Sequence, residues 1–160
     1  MDIEKKIELQ ETRDFGDAQK IISRLFSTKL VEMLKRPSKS VSDCLFSGKT
    51  ATILQAYSME IKSVFSDYWK KDGSFLLKIA KYINLKKDRD DRNEDEKLLI
   101  IYLIPSERKY FIYNIDDIHL STFKIDNMRI KAVEYDKESP RVETPCIFLP
   151  LEEAVCTGYY

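Results

Sequence analysis

The 160-residue chain has little of what usually staples or punctuates a small protein: four glycines, five prolines, three cysteines and one histidine. Scarce glycine and proline, beside nine tyrosines and eight phenylalanines, exclude collagen-like, low-complexity and wholly disordered chains. Cys44, Cys146 and Cys156 are scattered and odd in number. With no CxxC pair, a structural zinc site or a thioredoxin-like redox site has no support. One histidine cannot build a His-rich zinc centre. A Ser-His-Asp or Cys-His site would have to use His119, which follows the acidic Asp116-Asp117 turn without a nucleophile elbow. It reads as a solvated turn histidine. No apolar run approaches the ~18 residues of a membrane span. Met1 to Gln10 alternate charge with Ile and Leu and hold no signal-peptide core. The expectation is a reducing intracellular compartment, cytoplasmic or nuclear, with no membrane partner.

An excess of one charge is missing too, with 27 bases against 27 acids. Neutrality excludes the simple, strongly basic kind of nucleic-acid binder. It is an average over unlike regions, however. Residues 1–34 carry six bases and seven acids, 35–87 eleven bases and four acids, and 88–160 ten bases and sixteen acids. A phosphate-bearing partner should therefore meet the middle of the chain.

Hydrophobic residues make up 43% of the chain and charged residues 34%, an ordinary globular balance. A chain of this length buries roughly 68–70% of its unfolded surface, enough for one core. One domain over residues 1–160 is expected, α/β in class, with an N-terminal helix followed by a mixed β-sheet flanked by helices. Asp14 to Arg36 reads as an amphipathic helix, N-capped by Asp17 and stopped by Pro37. Val41 to Phe46 is a short strand. Thr50 to Phe65 fits two periods: Ile53, Leu54, Tyr57, Ile61, Val64 and Phe65 at helical spacing, or Tyr57, Met59 and Ile61 opposite Ser58, Glu60 and Lys62 in a strand. Phe75 to Ile83 is likewise strand or helix. Residues 86–97 read as a charged surface loop, with six acids from Asp88 to Glu96. Leu98 to Ile104 is a strand covered on both faces, and Lys109 to Ile115 returns against it as a hairpin. Met128 to Tyr135 alternates as a strand, Pro140 to Pro145 is a loop, and Leu151 to Val155 is a last helical turn.

Two motifs compete for one segment. Ser47-Gly48-Lys49-Thr50 matches the end of a phosphate-binding P-loop, but the earlier glycine that lets backbone amides wrap phosphate is replaced by Asp43. A turn that contains Gly-Lys-Thr is the better reading. The second motif is Asp43 followed downstream by Glu60-Ile61-Lys62. On a strand, residues 60 and 62 point to the same side, so a carboxylate and an ammonium share one pocket. Two carboxylates and the Ile61 carbonyl suit a hard divalent cation, which lowers the pKa of bound water and offsets phosphate charge. Lys62 would position that water and stabilise developing negative charge. On a helix the arrangement fails, because residues two apart face different ways.

With Asp43, the Glu60-Ile61-Lys62-Ser63 run and a preceding helix carrying Glu32, the chain resembles the PD-(D/E)XK nuclease superfamily, which includes type II restriction endonucleases. The paired strands at Leu98–Ile104 and 109–118 extend the resemblance. It implies a magnesium- or manganese-dependent endonuclease that hydrolyses DNA phosphodiesters, working as a homodimer. It also implies Asp43 and Glu60 as metal ligands with the Ile61 backbone carbonyl, Lys62 as the catalytic lysine, and Glu32 as an outer acid. Lys49, Lys70, Lys71 and Lys78 are the candidate nucleic-acid contacts, near the aromatics Tyr57, Tyr68, Trp69 and Phe75. The rival reading is a non-catalytic protein-interaction module, viral or defence-associated, in which Thr50–Phe65 is a helix and Asp43 and Glu60 lie far apart.

Overall fold

A computed structural model of the chain describes residues 2–38, 40–132 and 138–160. Helix α1 (Ile3–Phe26) leads into β1 (Leu30–Lys35), β2 (Cys44–Thr50) and β3 (Ile53–Ser63). A short helix α2 (Tyr68–Asp72), strand β4 (Ser74–Lys78) and helix α3 (Ile79–Asn93) form the crossover to β5 (Lys97–Ile104). Strands β6 (Lys109–Asn114), β7 (Ile125–Lys131), β8 (Arg141–Pro150) and β9 (Cys156–Tyr159) complete the chain. The α/β class and the helix-then-mixed-sheet order agree with the sequence. Among the described residues no helix is long and apolar enough to cross a membrane.

The strands form two sheets. The larger has order β1-β2-β3-β5-β6-β9, and the smaller β4-β8-β7. Only β3 and β5 run parallel, from Tyr57 beside Lys97 to Ser63 beside Leu103; the other pairs are antiparallel. Strand β5 has no charged residue from Leu98 to Ile104 because that stretch is covered on both faces, as a parallel strand in a sandwich must be. Ile101 and Leu103 face α1, packing with Ala18, Ile21 and Ile22. Leu98, Ile100, Tyr102 and Ile104 face the small sheet and α3, among Phe75, Leu85 and Leu149.

Several sequence expectations are corrected. The first helix begins earlier and stops at Phe26, with Ser27 at a positive φ of 50°. Leu30, Val31 and Leu34 keep helical spacing, yet their segment pairs with β2 as an edge strand. Asp17 lies inside α1 and caps nothing. Thr50–Phe65 is not helical; residues 53–63 are β3. Residues 86–97 are not a loop: α3 runs through Asn93, burying Tyr82, Leu85 and Arg89 on one face. Its charges pair, Arg89 with Asp90 and Asp116, and Arg92 with Asp88 and Glu96. Residues 141–145 extend β8 instead of looping. At Pro145 only β7 flanks the strand, since β4 pairing starts at Cys146, so the missing N–H breaks no ladder on that side. Part of the strand expected over Met128–Tyr135 is β7, while 133–135 lie outside the described residues.

Candidate functional site

The β2–β3 hairpin brings the candidate acids together. Its last pair is Cys44 beside Met59, and Asp43 stands in the bend just before, its N–H donating to the Met59 carbonyl at 3.1 Å. Strand β3 continues past that point with β5 on one edge only. On the vacated edge the Ile61 N–H donates to Asp43 Oδ2 at 2.6 Å. A strand residue sends its N–H and carbonyl to the same edge, so the Ile61 carbonyl also leaves beside Asp43.

Glu60 and Lys62 share the opposite face of β3 from Met59, as strand alternation requires. Both border a cavity of about 190 Å³ with Lys78 and Lys81. Glu60 also borders a second cavity, of about 170 Å³, with Asp43, Ile61, Lys81, Glu11 and Asp14. Lys81 Nζ, from α3, meets Glu60 Oε1 at 2.9 Å and donates to the Val41 carbonyl at 2.7 Å. One ammonium thus fastens α3 both to the segment before Asp43 and to the acid of β3.

Burial sets the electrostatics. The Glu60 side chain is 13% exposed. Burial first, and then the neighbouring Asp43 charge, push its pKa from 4.5 to about 8 against the pull of Lys81 and Lys62. Asp43 is raised mainly by burial, opposed by the Ile61 N–H and the Lys81 charge. Asp43 and Glu60 each perturb the other's titration, so the two carboxyl groups lie close together. Glu60 Oε2 and Glu11 Oε2 are buried with no hydrogen-bond partner. On α1, Asp14 is buried, accepts from Ser63 Oγ at 2.7 Å and Gln10 Nε2 at 2.6 Å, and is raised chiefly by burial.

Asp43, Glu60 and Ile61 therefore border one cavity, and Lys62 joins Glu60 at the other. Glu32 does not: it is exposed on β1, opposite Ser47, and the helical acids at the cavity are Glu11 and Asp14. Of the lysines expected to meet nucleic acid, Lys78 lines the site. Lys49 is exposed on β2, Lys71 is exposed on α2, and Lys70 pairs with Glu107 at 2.9 Å. Ser47–Thr50 belong to β2 instead of a turn, and Gly48 packs so closely that a Cβ there would lie 2.6 Å from the Phe26 ring. His119 is exposed, and all three cysteines are free thiols. Sequence reasoning missed Lys81, Glu11 and Asp14. The i,i+3 spacing of Glu11 and Asp14 on α1 was their one available signal.

Among the described residues, no group of three His, Cys, Asp or Glu side chains is arranged to hold a metal ion. The acids at the centre form a pair, with Glu11 and Asp14 bordering the same cavity. No family model, curated protein or solved structure matches the chain.

Proposed function

We propose that the protein is a magnesium-dependent endonuclease that hydrolyses DNA phosphodiester bonds, with a restriction-endonuclease-like core of the PD-(D/E)XK type acting as a homodimer. The observation that carries this reading is the pairing of Asp43 and Glu60 at the point where β3 outruns β2, with Lys62 on the same side of the strand as Glu60. The donor set suits a hard divalent cation. Two adjacent carboxyls share the site with Lys81 and Lys62, and Glu60 Oε2 is buried without a hydrogen-bond partner. Asp43, Glu60 and the Ile61 carbonyl would hold Mg²⁺ or Mn²⁺, which supplies a lowered pKa for bound water and charge neutralisation at phosphate.

The chain's own residues have distinct tasks. The Ile61 N–H fixes one Asp43 oxygen, which leaves the other for the ligand. Lys81 holds Glu60 Oε1 and so orients its carboxyl plane. Lys62 brings an ammonium that orients the attacking water and balances charge growing on the phosphate. Glu11 borders the cavity from α1, and its Oε2 is buried without a hydrogen-bond partner. A two-fold assembly would present one such site to each strand of a duplex.

The test is cleavage of supercoiled and linear DNA with Mg²⁺, Mn²⁺ or EDTA. Glu60→Gln and Lys62→Ala should each lower the rate by about 10²-fold or more, the scale of losing one charge-stabilising group. Their melting temperatures should show that the fold is kept. Full activity in both variants would sink the reading.

A further inference from the structure

Beyond the acids, the concavity continues. A cavity of about 370 Å³ lies between β3 and the small sheet, bordered among the described residues by Lys62, Lys78, Arg129, Lys131 and Arg141 and by one acid, Asp72. It shares Lys62, Leu76 and Lys78 with the smaller cavity that reaches Glu60 and Lys81, so the two form one groove. Its floor is partly apolar, from Leu76, Met128 and Ile130.

The β7–β8 register adds an independent observation. It sets Lys131 directly opposite Arg141. Like charges facing each other across an antiparallel pair destabilise it. Among the described residues no salt bridge engages Lys78, Arg129, Lys131 or Arg141. Arg141 Nη1 donates to the Arg129 carbonyl, at 3.3 Å. The same register sets Glu143 opposite Arg129, which leaves Lys131 and Arg141 facing each other, and a polyanion lying along the groove would offset that remaining repulsion.

We infer that this groove holds the sugar–phosphate backbone flanking the scissile bond, with Lys78, Arg129, Lys131 and Arg141 as its phosphate contacts. The inference rests on the nuclease reading for its ligand. DNA is favoured over an acidic polypeptide because the groove adjoins the Glu60–Lys62 face, with Lys62 and Lys78 on the border of both, where a phosphodiester would be cut. Sugars would rest on the apolar floor, and Lys62 would mark the passage from binding to chemistry.

The test measures binding of a fluorescently labelled mixed-sequence DNA duplex by the full chain, in EDTA so that no cleavage intervenes, across a NaCl series. Wild type should lose affinity steeply with salt. In Arg129→Gln/Lys131→Gln/Arg141→Gln the slope of log K against log salt should be shallower by about 2–3, near 0.9 per lost phosphate contact. A Lys70→Gln/Lys71→Gln control should keep the wild-type slope. Arg129→Lys/Arg141→Lys, which keeps the charges, should also keep it. If the triple variant does not fold, Lys131→Gln alone should make the slope shallower by about 1.

Equal slopes in wild type and the glutamine variants would overturn the groove, as would absent DNA binding. So would competition by polyglutamate as strong as that by DNA. A wild type that binds DNA with the expected slopes yet never cuts it would defeat the nuclease reading and leave the groove standing. Cleavage that persists with an unchanged KM in the triple variant would do the reverse.

Discussion

The two halves of β3 have the same backbone and opposite characters. From Tyr57 through Met59 the strand has β2 on one edge and β5 on the other, and its inward side chains Tyr57 and Met59 enter the α1-facing core. From Glu60 onward β2 is gone, and the vacated edge is filled by a carboxylate from the bend before it. Phe46 and Tyr57 stack at 4.6 Å in the first half; Glu60 and Asp43 crowd each other in the second. Where a strand keeps both neighbours its polar backbone is satisfied and only shape remains to be specified. Where it loses one, backbone and side-chain polarity are left facing the same space, which is what a site needs.

The largest expected contrast is in stability. Phe46→Ala opens the stacked core beside Phe26 and Tyr57 and should cost about 3–5 kcal/mol in denaturant unfolding. Catalysis per folded molecule should be little changed. Glu60→Gln should do the opposite, lowering activity while stabilising the fold at alkaline pH. The sign follows from linkage. Folded Glu60 holds its proton up to about pH 8, whereas an unfolded glutamate releases it near 4.5. The folded state therefore binds more protons across that window, and stability falls as pH rises through it, by at most about 1.4 kcal/mol per unit. Asp43 and Asp14, also raised, act in the same direction. Melting temperatures from pH 5 to 8 should fall in wild type and in Phe46→Ala. In Glu60→Gln they should be much flatter, and equal slopes in all three proteins would erase the contrast.

Lys81→Met removes the ammonium from Glu60 and from the Val41 carbonyl. It should destabilise by about 1–2 kcal/mol at pH 8 and by less at pH 5, where Glu60 is neutral. Added Mg²⁺ should restore part of the loss. Differential scanning fluorimetry at both pH values reads this. The smallest effects separate two glutamates. Glu11→Gln should weaken the Mg²⁺ dependence of cleavage by about 10-fold, the lower end for groups beside a metal site. Glu32→Gln, exposed on β1, should change stability by no more than about 0.5 kcal/mol and leave the Mg²⁺ dependence alone. Equal Mg²⁺ titrations for the two variants would remove Glu11 from the site.

What could be read in the sequence was local. The β5–β6 hairpin follows from one continuous apolar run, Pro105 and an aromatic return, and it stands where expected. The Asp43, Glu60 and Lys62 spacing needed only the strand form of 53–63 to converge. The C-terminal end of α1 was misread because Leu30, Val31 and Leu34 satisfy both periods, and only pairing with β2 separates them. Helix α3 was hidden by its charge, since its charged groups find partners outside the helix as well as within it, as in Arg89 with Asp116 and Asp88 with Arg36. Lys81 and the basic groove were illegible for the same reason. Each depends on segments brought together by a crossover and by a second sheet that hydrophobic pattern does not announce.

Lys81 arrives at Glu60 from the first turn of α3, midway along that crossover, whereas Asp43 and Glu60 are joined by a single hairpin. The two acids are therefore held together by strand pairing, and their counter-charge by the packing of a helix. Whenever α3 lifts from the sheet, the hairpin keeps the carboxyls side by side without their ammonium. In that opened form their affinity for a proton or a divalent cation is at its greatest. On the proposed reading, acid or metal would do more than occupy the site: it would draw population toward a state in which α3 is loosened, and the helix would compete with the ligand.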